Sequence, residues 1–185
     1  MPTLLLLNGP PGIGKSTLAR RYAAGRPGVL VLDVDVLRGL VGGAAERFEE
    51  TGAIVRPLAL VMITTHLAGG RDVVLPQYLG RVSQVELFEQ AALDGGGDFV
   101  HVVLMDDEDA AARRFAGRSG DDPWHEQVKA IVAAQGGETS LRESHRKVRD
   151  VVAGRPEVRV VPSLDGDEDA TYAALLEALG EEEPG

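Results

Sequence analysis

Short apolar runs alternate with longer segments of helical periodicity along the 185-residue chain. Each short run is bounded by Gly, Pro or Asp, a pattern typical of buried strands. The predicted strands are Thr3–Asn8, Val29–Leu32, Asp72–Leu75, Phe99–Leu104 and Glu157–Val161. Because helical segments separate them, the pattern predicts an α/β fold in which helices cover both faces of a five-stranded parallel sheet.

The intervening segments predict helices of different lengths. These are Lys15–Ala24, Ala53–Leu67, Ser83–Leu93, Asp107–Ala116, Trp124–Gln135, Ser140–Ala153 and Asp169–Leu179, with a short helix or turn at Val36–Leu40. Ser83 is expected to cap its helix because Glu86 follows three residues later, and Thr51 is expected to cap Ala53–Leu67. Ligands of parallel sheets bind beyond the carboxyl ends of the strands, so functional residues are expected just after each strand.

The first such junction carries the most specific motif in the chain. Gly9-Pro10-Pro11-Gly12-Ile13-Gly14-Lys15-Ser16 fits G-x-x-x-x-G-K-[ST], between a strand and a helix. Main-chain N–H groups of such a loop, together with the helix N-terminus, cradle phosphates. Lys15 is expected to reach the β- and γ-phosphates, Ser16 to hold Mg²⁺, and Thr17 to lie near the α-phosphate. The motif therefore predicts a nucleoside triphosphate with Mg²⁺ and leaves the reaction open.

Two classes of P-loop protein fit the sequence poorly. Guanine-nucleotide switches carry N-K-x-D, but Asn8, which precedes the loop, is the only asparagine. Motor ATPases carry a strand that ends in an acid, whereas the third predicted strand runs into Pro76 and Gln77. A kinase or another phosphate-handling protein remains.

The second strand is the one that ends in acids, at Asp33-Val34-Asp35. Side chains alternate in an extended segment, so Asp33 and Asp35 are expected to point the same way. One carboxylate would serve Mg²⁺ and the other would accept the proton of an attacking hydroxyl. Asp35 is favoured as the base and Asp33 as the metal-side acid, and the reverse assignment stays open. Arg38 is expected to bind the acceptor or steady Asp35. The competing interpretation is a polar strand end with a helix cap.

These residues resemble the small P-loop kinases of the adenylate kinase-like group. The likeness rests on G-P-P-G-I-G-K-S, D-V-D-V-L-R and an arginine-bearing segment after the fourth strand, and it spans nearly the whole chain. Shikimate kinases, gluconate kinases, chloramphenicol phosphotransferases, polynucleotide 5′-kinases and zeta toxins share the arrangement, as do actinobacterial proteins labelled AAA-family ATPases. The resemblance implies one kinase domain over residues 1–180. From their composition and terminal position, residues 181–185 are expected to be an acidic, disordered tail. It also implies transfer of the γ-phosphoryl group of ATP to a hydroxyl.

In the resembling kinases, arginines of a small helical lid close over the triphosphate. The resemblance places this lid at about residues 113–123 and implies phosphate-binding or catalytic roles for Arg113, Arg114 and Arg118. Spacing does not decide which of Arg113 and Arg114 points inward. The alternative is an amphipathic helix whose last-turn arginines complement the helix dipole.

The acceptor side is expected after the third strand. Gln77 can donate and accept hydrogen bonds, Tyr78 can stack on a ring, and Arg81 can bind an anion. Arg56 in the long helix is a further candidate. These residues suit a nucleoside, a sugar or an antibiotic, although an ordinary strand-to-helix loop has a similar composition.

Charge and composition narrow the partners. The net charge of −10 disfavours nucleic acid, while the basic stretch Arg142–Arg149 favours it, so a polynucleotide 5′-hydroxyl is the alternative acceptor. A slowly hydrolysing regulator is the alternative from another class. Cysteine is absent, and the four histidines lack metal-ligand spacing. No apolar run is expected to reach the roughly 20 residues of a membrane span. We therefore expect a cytoplasmic monomer or homodimer.

Overall fold

The computed structural model of the chain describes residues 1–44, 47–106, 137–164 and 166–183. The predicted helices Asp107–Ala116 and Trp124–Gln135 lie outside these residues. So do Arg113, Arg114 and Arg118 of the predicted lid.

Five parallel strands form one sheet in the order β2-β3-β1-β4-β5. The strands are β1 (Thr3–Asn8), β2 (Leu30–Val31), β3 (Val73–Pro76), β4 (Asp98–Met105) and β5 (Arg159–Pro162). The predicted parallel sheet is confirmed, and its central strand β1 leads directly into the glycine-rich loop. That placement puts the loop at the middle of the carboxyl edge of the sheet.

The described helices are α1 (Lys15–Ala24), α2 (Val34–Gly39), α3 (Phe48–Ala68), α4 (Val82–Asp94), α5 (Glu138–Ala153) and α6 (Glu168–Leu179). They cover both sheet faces, because alternate leucines of β1 enter two separate cores. Leu4 and Leu6 pack with residues of α3 and α4, and Leu5 and Leu7 pack with residues of α1 and α6. The three-layer α/β fold is thus confirmed.

Two predicted helix caps are wrong. Ser83 lies inside α4, whose N-cap position is Arg81 and carries no side-chain cap. Thr51 lies inside α3, and its hydroxyl donates to the carbonyl oxygen of Arg47 at 3.1 Å. The helix α3 begins well before the predicted Ala53 and continues through Gly52. An ideal Cβ at Gly52 would lie 2.9 Å from a guanidinium nitrogen of Arg38, so the glycine leaves room for that side chain.

The expectation that no segment approaches the length of a membrane span is wrong for α3. Glu50–Ala68 is long and apolar enough by length and composition alone. Its Val55, Ala59 and Ile63 are fully buried in the core against the sheet. A core helix of a soluble protein passes the same test, but only 33% of this segment is buried, and Ile54, Leu58 and Val61 of α3 are exposed.

The acidic residues at the end of the described chain contact α1. Glu181 accepts hydrogen bonds from the hydroxyl of Tyr22 at 3.0 Å and from the guanidinium of Arg26 at 2.6 Å. Glu183 pairs with Arg21 at 3.2 Å. The described residues of the predicted tail therefore contact the first helix.

Candidate active site

The loop between β1 and α1 has the backbone geometry of a phosphate cradle. Gly9, Gly12 and Gly14 all have positive φ. At Gly9, with φ of 149°, an ideal Cβ would lie 2.6 Å from the carbonyl oxygen of Leu104, so only glycine fits. The N-terminus of α1 has no side-chain cap and no acid in its first turn. Its backbone N–H groups and the positive end of its dipole are thus suited to an anion.

Lys15 extends over this loop. Its ammonium donates to the carbonyl oxygens of Gly9 at 2.9 Å and Pro10 at 2.8 Å, and the residue is only 9% exposed. Among the described residues, Lys15 is thus a buried cation at the cradle.

Ser16 joins the cradle to the end of β2. Its hydroxyl donates to a carboxylate oxygen of Asp33 at 2.9 Å. The other oxygen of Asp33 accepts from the backbone N–H of Asp35 at 3.0 Å, so Asp33 also caps α2. The predicted metal-side pair is therefore in contact, and Asp33 serves as the helix cap of the competing interpretation as well.

The argument that placed Asp33 and Asp35 on one side of an extended strand is wrong. Asp35 lies in the first turn of α2, since the chain turns into a helix directly after Asp33. The two carboxylates are nevertheless close enough to interact. Burial raises the pKa of Asp35, the guanidinium of Arg38 opposes this rise, and the charge of Asp33 adds to it. Lys15 also acts on Asp35, so the cradle and both acids share one electrostatic environment.

Arg38 brings positive charge to Asp35, and Arg56 lies near Arg38. Arg38 donates to Asp35 at 3.1 Å, and its side chain is 11% exposed. Burial lowers the pKa of Arg38, Asp35 opposes that effect, and the charge of Arg56 reinforces it. Arg56 is exposed on α3. Two of the predicted acceptor-side cations thus lie near each other, and Arg38 is the one that contacts Asp35.

The loop after β3 contributes Gln77, while its neighbours have other surroundings. Gln77 is bound through its backbone N–H to the carbonyl oxygen of Leu7 at 3.1 Å. Its side-chain oxygen is buried and has no hydrogen-bond partner among the described residues. The hydroxyl of Tyr78 lies over Gly80 beside Lys147, and Arg81 is exposed at the start of α4. Gln77 thus offers a buried acceptor atom at this loop.

A cavity of about 480 Å³ adjoins the cradle on the side of α6. It is lined by Gly12, Ile13, Gly14, Thr17, Leu18, Ser163, Leu164, Gly166, Asp167, Glu168 and Thr171. The loop after β5 is fastened to the cradle there, because the hydroxyl of Ser163 donates to the carbonyl oxygen of Ile13 at 3.1 Å. The sequence prediction omitted this loop. The rule that ligands bind beyond strand ends, applied to the fifth strand, would have found it.

A protein family described as an AAA domain matches residues 4–153. The chain belongs to this AAA domain family. The matched region of this AAA domain runs from β1 through α5 and so includes the cradle, both aspartates and the acceptor-side candidates. No curated protein matches the sequence.

Solved structures match nearly the full length of this chain. A Chloroflexus aurantiacus protein provisionally described as a kinase has a TM-score of 0.65 at 15% identity, covering 98% of this chain and 99% of its own. A Sinorhizobium meliloti gluconokinase has a TM-score of 0.62 at 19% identity, covering 97% and 93%. A Deinococcus radiodurans tunicamycin resistance protein has a TM-score of 0.60 at 12% identity, covering 98% of both chains. This AAA domain therefore has the fold of small P-loop kinases, as predicted.

Proposed function

We propose that this protein is an ATP-dependent phosphotransferase that moves the γ-phosphoryl group of ATP to a hydroxyl of a small acceptor. One observation carries the proposal. Lys15 and the uncapped N-terminus of α1 lie in the same electrostatic environment as Asp35, a carboxylate whose pKa burial raises. A phosphate cradle beside a candidate general base is the arrangement that phosphoryl transfer to an alcohol needs.

The nucleotide fits the cradle and the adjoining cavity. The phosphates would accept hydrogen bonds from the backbone of the loop, and Lys15 would exchange its two carbonyl partners for phosphate oxygens. The adenine ring of the nucleotide would enter the cavity, where Leu164 offers an apolar surface. Asp167 and Glu168 line the same cavity and can accept hydrogen bonds from base amino groups.

Ser16 and Asp33 suit Mg²⁺ as a pair of ligands. The described residues contain no cluster of three or more His, Cys, Asp or Glu side chains that could hold a metal ion. A hydroxyl and one carboxylate are what the ion commonly takes from a protein when phosphates and water complete its shell. When bound, Mg²⁺ would neutralise charge on the β- and γ-phosphates.

Asp35 would accept the proton of the acceptor hydroxyl as the oxygen of that hydroxyl attacks the γ-phosphorus. The new O–P bond forms while the bond from the γ-phosphorus to the β,γ-bridging oxygen breaks, and ADP leaves with that electron pair. A pKa raised by burial makes Asp35 a stronger base than an exposed carboxylate. On sequence grounds alone, we also propose that Arg118, with Arg113 or Arg114, binds the transferring phosphate.

The acceptor side favours a polyhydroxylated compound that carries negative charge. Arg38 and Arg56 supply two neighbouring cations, and the buried oxygen of Gln77 can accept from an acceptor hydroxyl. We retain Tyr78 and Arg81 as acceptor-side candidates at the edge of this region. A gluconokinase and a tunicamycin resistance protein share the fold, which supports including sugar acids and antibiotics in the test.

A polynucleotide acceptor is the second candidate, and the basic stretch on α5 supports it weakly. Arg142 pairs with Glu138 at 2.8 Å and Lys147 with Glu143 at 2.8 Å, so helix acids already neutralise part of the charge. The net charge of −10 also disfavours a nucleic-acid surface. We propose a cytoplasmic enzyme that is a monomer or homodimer.

The proposal is tested by incubating the protein with γ-labelled ATP and separate groups of acceptors: nucleosides, sugar acids, aminoglycosides, other antibiotics and 5′-hydroxyl oligonucleotides. The expected result is label transfer to a compound of one small-molecule group. The Lys15→Ala variant, purified in parallel, reveals any contaminating kinase because it should transfer no label. Transfer only to oligonucleotides would favour the second candidate, and label released only as phosphate would favour a slowly hydrolysing regulator.

A further inference from the structure

Asn8, the last residue of β1, is fully buried and makes four polar contacts at the base of the cradle. Its side-chain oxygen accepts from the backbone N–H groups of Gly9 at 2.8 Å and Leu79 at 2.9 Å. Its side-chain nitrogen donates to the carbonyl oxygen of Leu79 at 3.0 Å and lies 3.3 Å from Nε2 of His101. One amide thus uses all of its ordinary hydrogen-bonding capacity.

The orientation of this amide follows from its partners. The N–H groups of Gly9 and Leu79 can only donate, so the side-chain oxygen of Asn8 must face them. His101 lies on β4, where burial lowers its pKa to about 4 and keeps the imidazole neutral at ordinary pH. A neutral ring can accept the second N–H of Asn8 at Nε2, and every contact of the amide is then satisfied.

The two backbone segments that Asn8 joins belong to opposite halves of the candidate active site. The carbonyl oxygen of Gly9 holds the ammonium of Lys15 at 2.9 Å, whereas its N–H is held by Asn8. Leu79 is held at both its N–H and its carbonyl oxygen. Leu79 lies between Gln77 and Arg81, in the loop assigned to the acceptor side. Asn8 therefore links the cradle and that loop through one side chain.

We propose that Asn8 is a positioning residue that transmits nucleotide binding from the cradle to the loop of residues 77–81. The proposal rests on the proposed function, in that Lys15 leaves the carbonyl oxygens of Gly9 and Pro10 when phosphates arrive. The carbonyl oxygen of Gly9 then loses its contact with Lys15, while the N–H of Gly9 still donates to the side chain of Asn8. Through Asn8, nucleotide binding also orders the loop of residues 77–81. The ordered loop holds Gln77 in the position that the transfer step needs.

A purely structural role makes a different prediction. Buried polar networks often stabilise a core without any link to ligand binding. Loss of such a network lowers the free energy of unfolding and leaves the response to a ligand intact. The response of the loop to a nucleotide therefore separates positioning from stability.

The test is amide hydrogen exchange with and without Mg·AMP-PNP, a non-hydrolysable ATP analogue, with binding measured separately by calorimetry. In the wild-type protein, we expect the analogue to slow exchange of the Leu79 amide by about tenfold, the size of one well-formed hydrogen bond. In Asn8→Ala, the free protein should exchange at Gly9 and Leu79 about tenfold faster. This variant should bind the analogue within about threefold of wild type, yet lose the added protection at Leu79.

Further variants keep the test decisive. Asn8→Ser leaves a hydroxyl beside Gly9 but is too short to reach Leu79, and it replaces Asn8→Ala if that variant does not fold. The stability control is Thr64→Val, because the hydroxyl of Thr64 lies 3.1 Å from the carbonyl oxygens of Leu60 and Ala91 and far from the loop in sequence.

The outcomes are distinct. Protection retained in Asn8→Ala or Asn8→Ser, or lost equally in Thr64→Val, overturns the positioning role. Binding of the analogue to wild type without added protection at Leu79 overturns the transmission while the proposed function stands. If the wild-type protein does not bind the analogue, the proposed function falls and the transmission falls with it.

Discussion

The two halves of the candidate site are built in different ways. The nucleotide half comes from nine consecutive residues, Gly9–Thr17, and its contacts are mostly between the backbone, one ammonium and one hydroxyl. The acceptor half takes Asp35 and Arg38 from α2, Arg56 from α3 and Gln77 from the loop after β3. A local motif can specify the first half, whereas tertiary packing must assemble the second.

This difference has an energetic basis. Backbone N–H groups and a helix dipole bind any phosphate, so their geometry alone defines the ligand class. Side chains on separate elements define an acceptor by their combined charge and shape, and each can change without disturbing the cradle. We therefore expect substitutions in the cradle to abolish turnover with every acceptor. Substitutions in the acceptor half should lower phosphoryl transfer while ATP binding stays nearly unchanged.

The largest effect is expected from Lys15→Ala. The variant removes the cation that should neutralise charge on the transferring phosphate, so turnover should fall by about 100- to 1000-fold. Affinity for ATP should fall as well. Turnover and calorimetric binding measure both effects. Lys147→Ala is the matched control, since Lys147 pairs with Glu143 on α5. This variant should keep near-normal turnover and near-normal ATP affinity. Equal losses in the two variants would show that Lys15 has no special role.

Asp35→Asn should separate the halves. Transfer to the acceptor is expected to fall by about 100-fold because the proton acceptor is gone. ATP affinity should change little, since the cradle is intact. Asp94→Asn, at the end of α4 where Asp94 accepts from Gln90 at 2.8 Å, controls for the loss of a carboxylate. Normal transfer by Asp35→Asn would show that another group, with Asp33 the first candidate, acts as the base.

The pH dependence of transfer sharpens the role of Asp35. A base works only when deprotonated, so transfer should be lost as pH falls through the pKa of Asp35, which burial raises. Arg38 favours the carboxylate and lowers that pKa. Arg38→Met should therefore raise the pKa further and move the acid limb of the pH–rate profile to higher pH. Arg47→Met, which removes an exposed arginine paired with Glu50, should leave the limb in place. A shift toward lower pH in Arg38→Met would contradict this assignment.

The smallest effect is expected at the cavity beside the cradle. Leu164→Ala removes part of the apolar surface proposed for the base, and Leu164 is already 48% exposed. The KM for ATP should rise by roughly threefold with kcat nearly unchanged. Val160→Ala, an exposed residue of β5 outside the cavity, should leave KM unaltered. A large fall in kcat in Leu164→Ala alone would place this residue nearer the reacting atoms than proposed.

Sequence alone predicted the sheet and the cradle well because both depend on local signals. β1 and α1 have the predicted bounds, since an apolar run and G-x-x-x-x-G-K-S determine where each begins and ends. The start of α3 and the caps at Ser83 and Thr51 were predicted wrongly. Gly52 lies inside the helix, where its missing side chain leaves room for Arg38 of a different element, and periodicity does not reveal that contact.

The same reasoning explains what was missed in the site. Asp33 and Asp35 were grouped correctly in space by an argument that assumed the wrong local structure, because a helix begins at Val34. The four contacts of Asn8 and the loop at Ser163 depend on which strands lie side by side. The strand order β2-β3-β1-β4-β5 fixes those neighbours, and a linear sequence pattern does not state it.

The most direct measurement is a crystal structure with Mg²⁺ and a non-hydrolysable ATP analogue. The account predicts phosphates on the N–H groups of Gly12–Ser16 and Lys15 moved from the carbonyl oxygens of Gly9 and Pro10 to phosphate oxygens. It also predicts Asp35 facing open space beside the γ-phosphate. An analogue bound elsewhere, or Lys15 still on its two carbonyl oxygens with phosphates present, would contradict it.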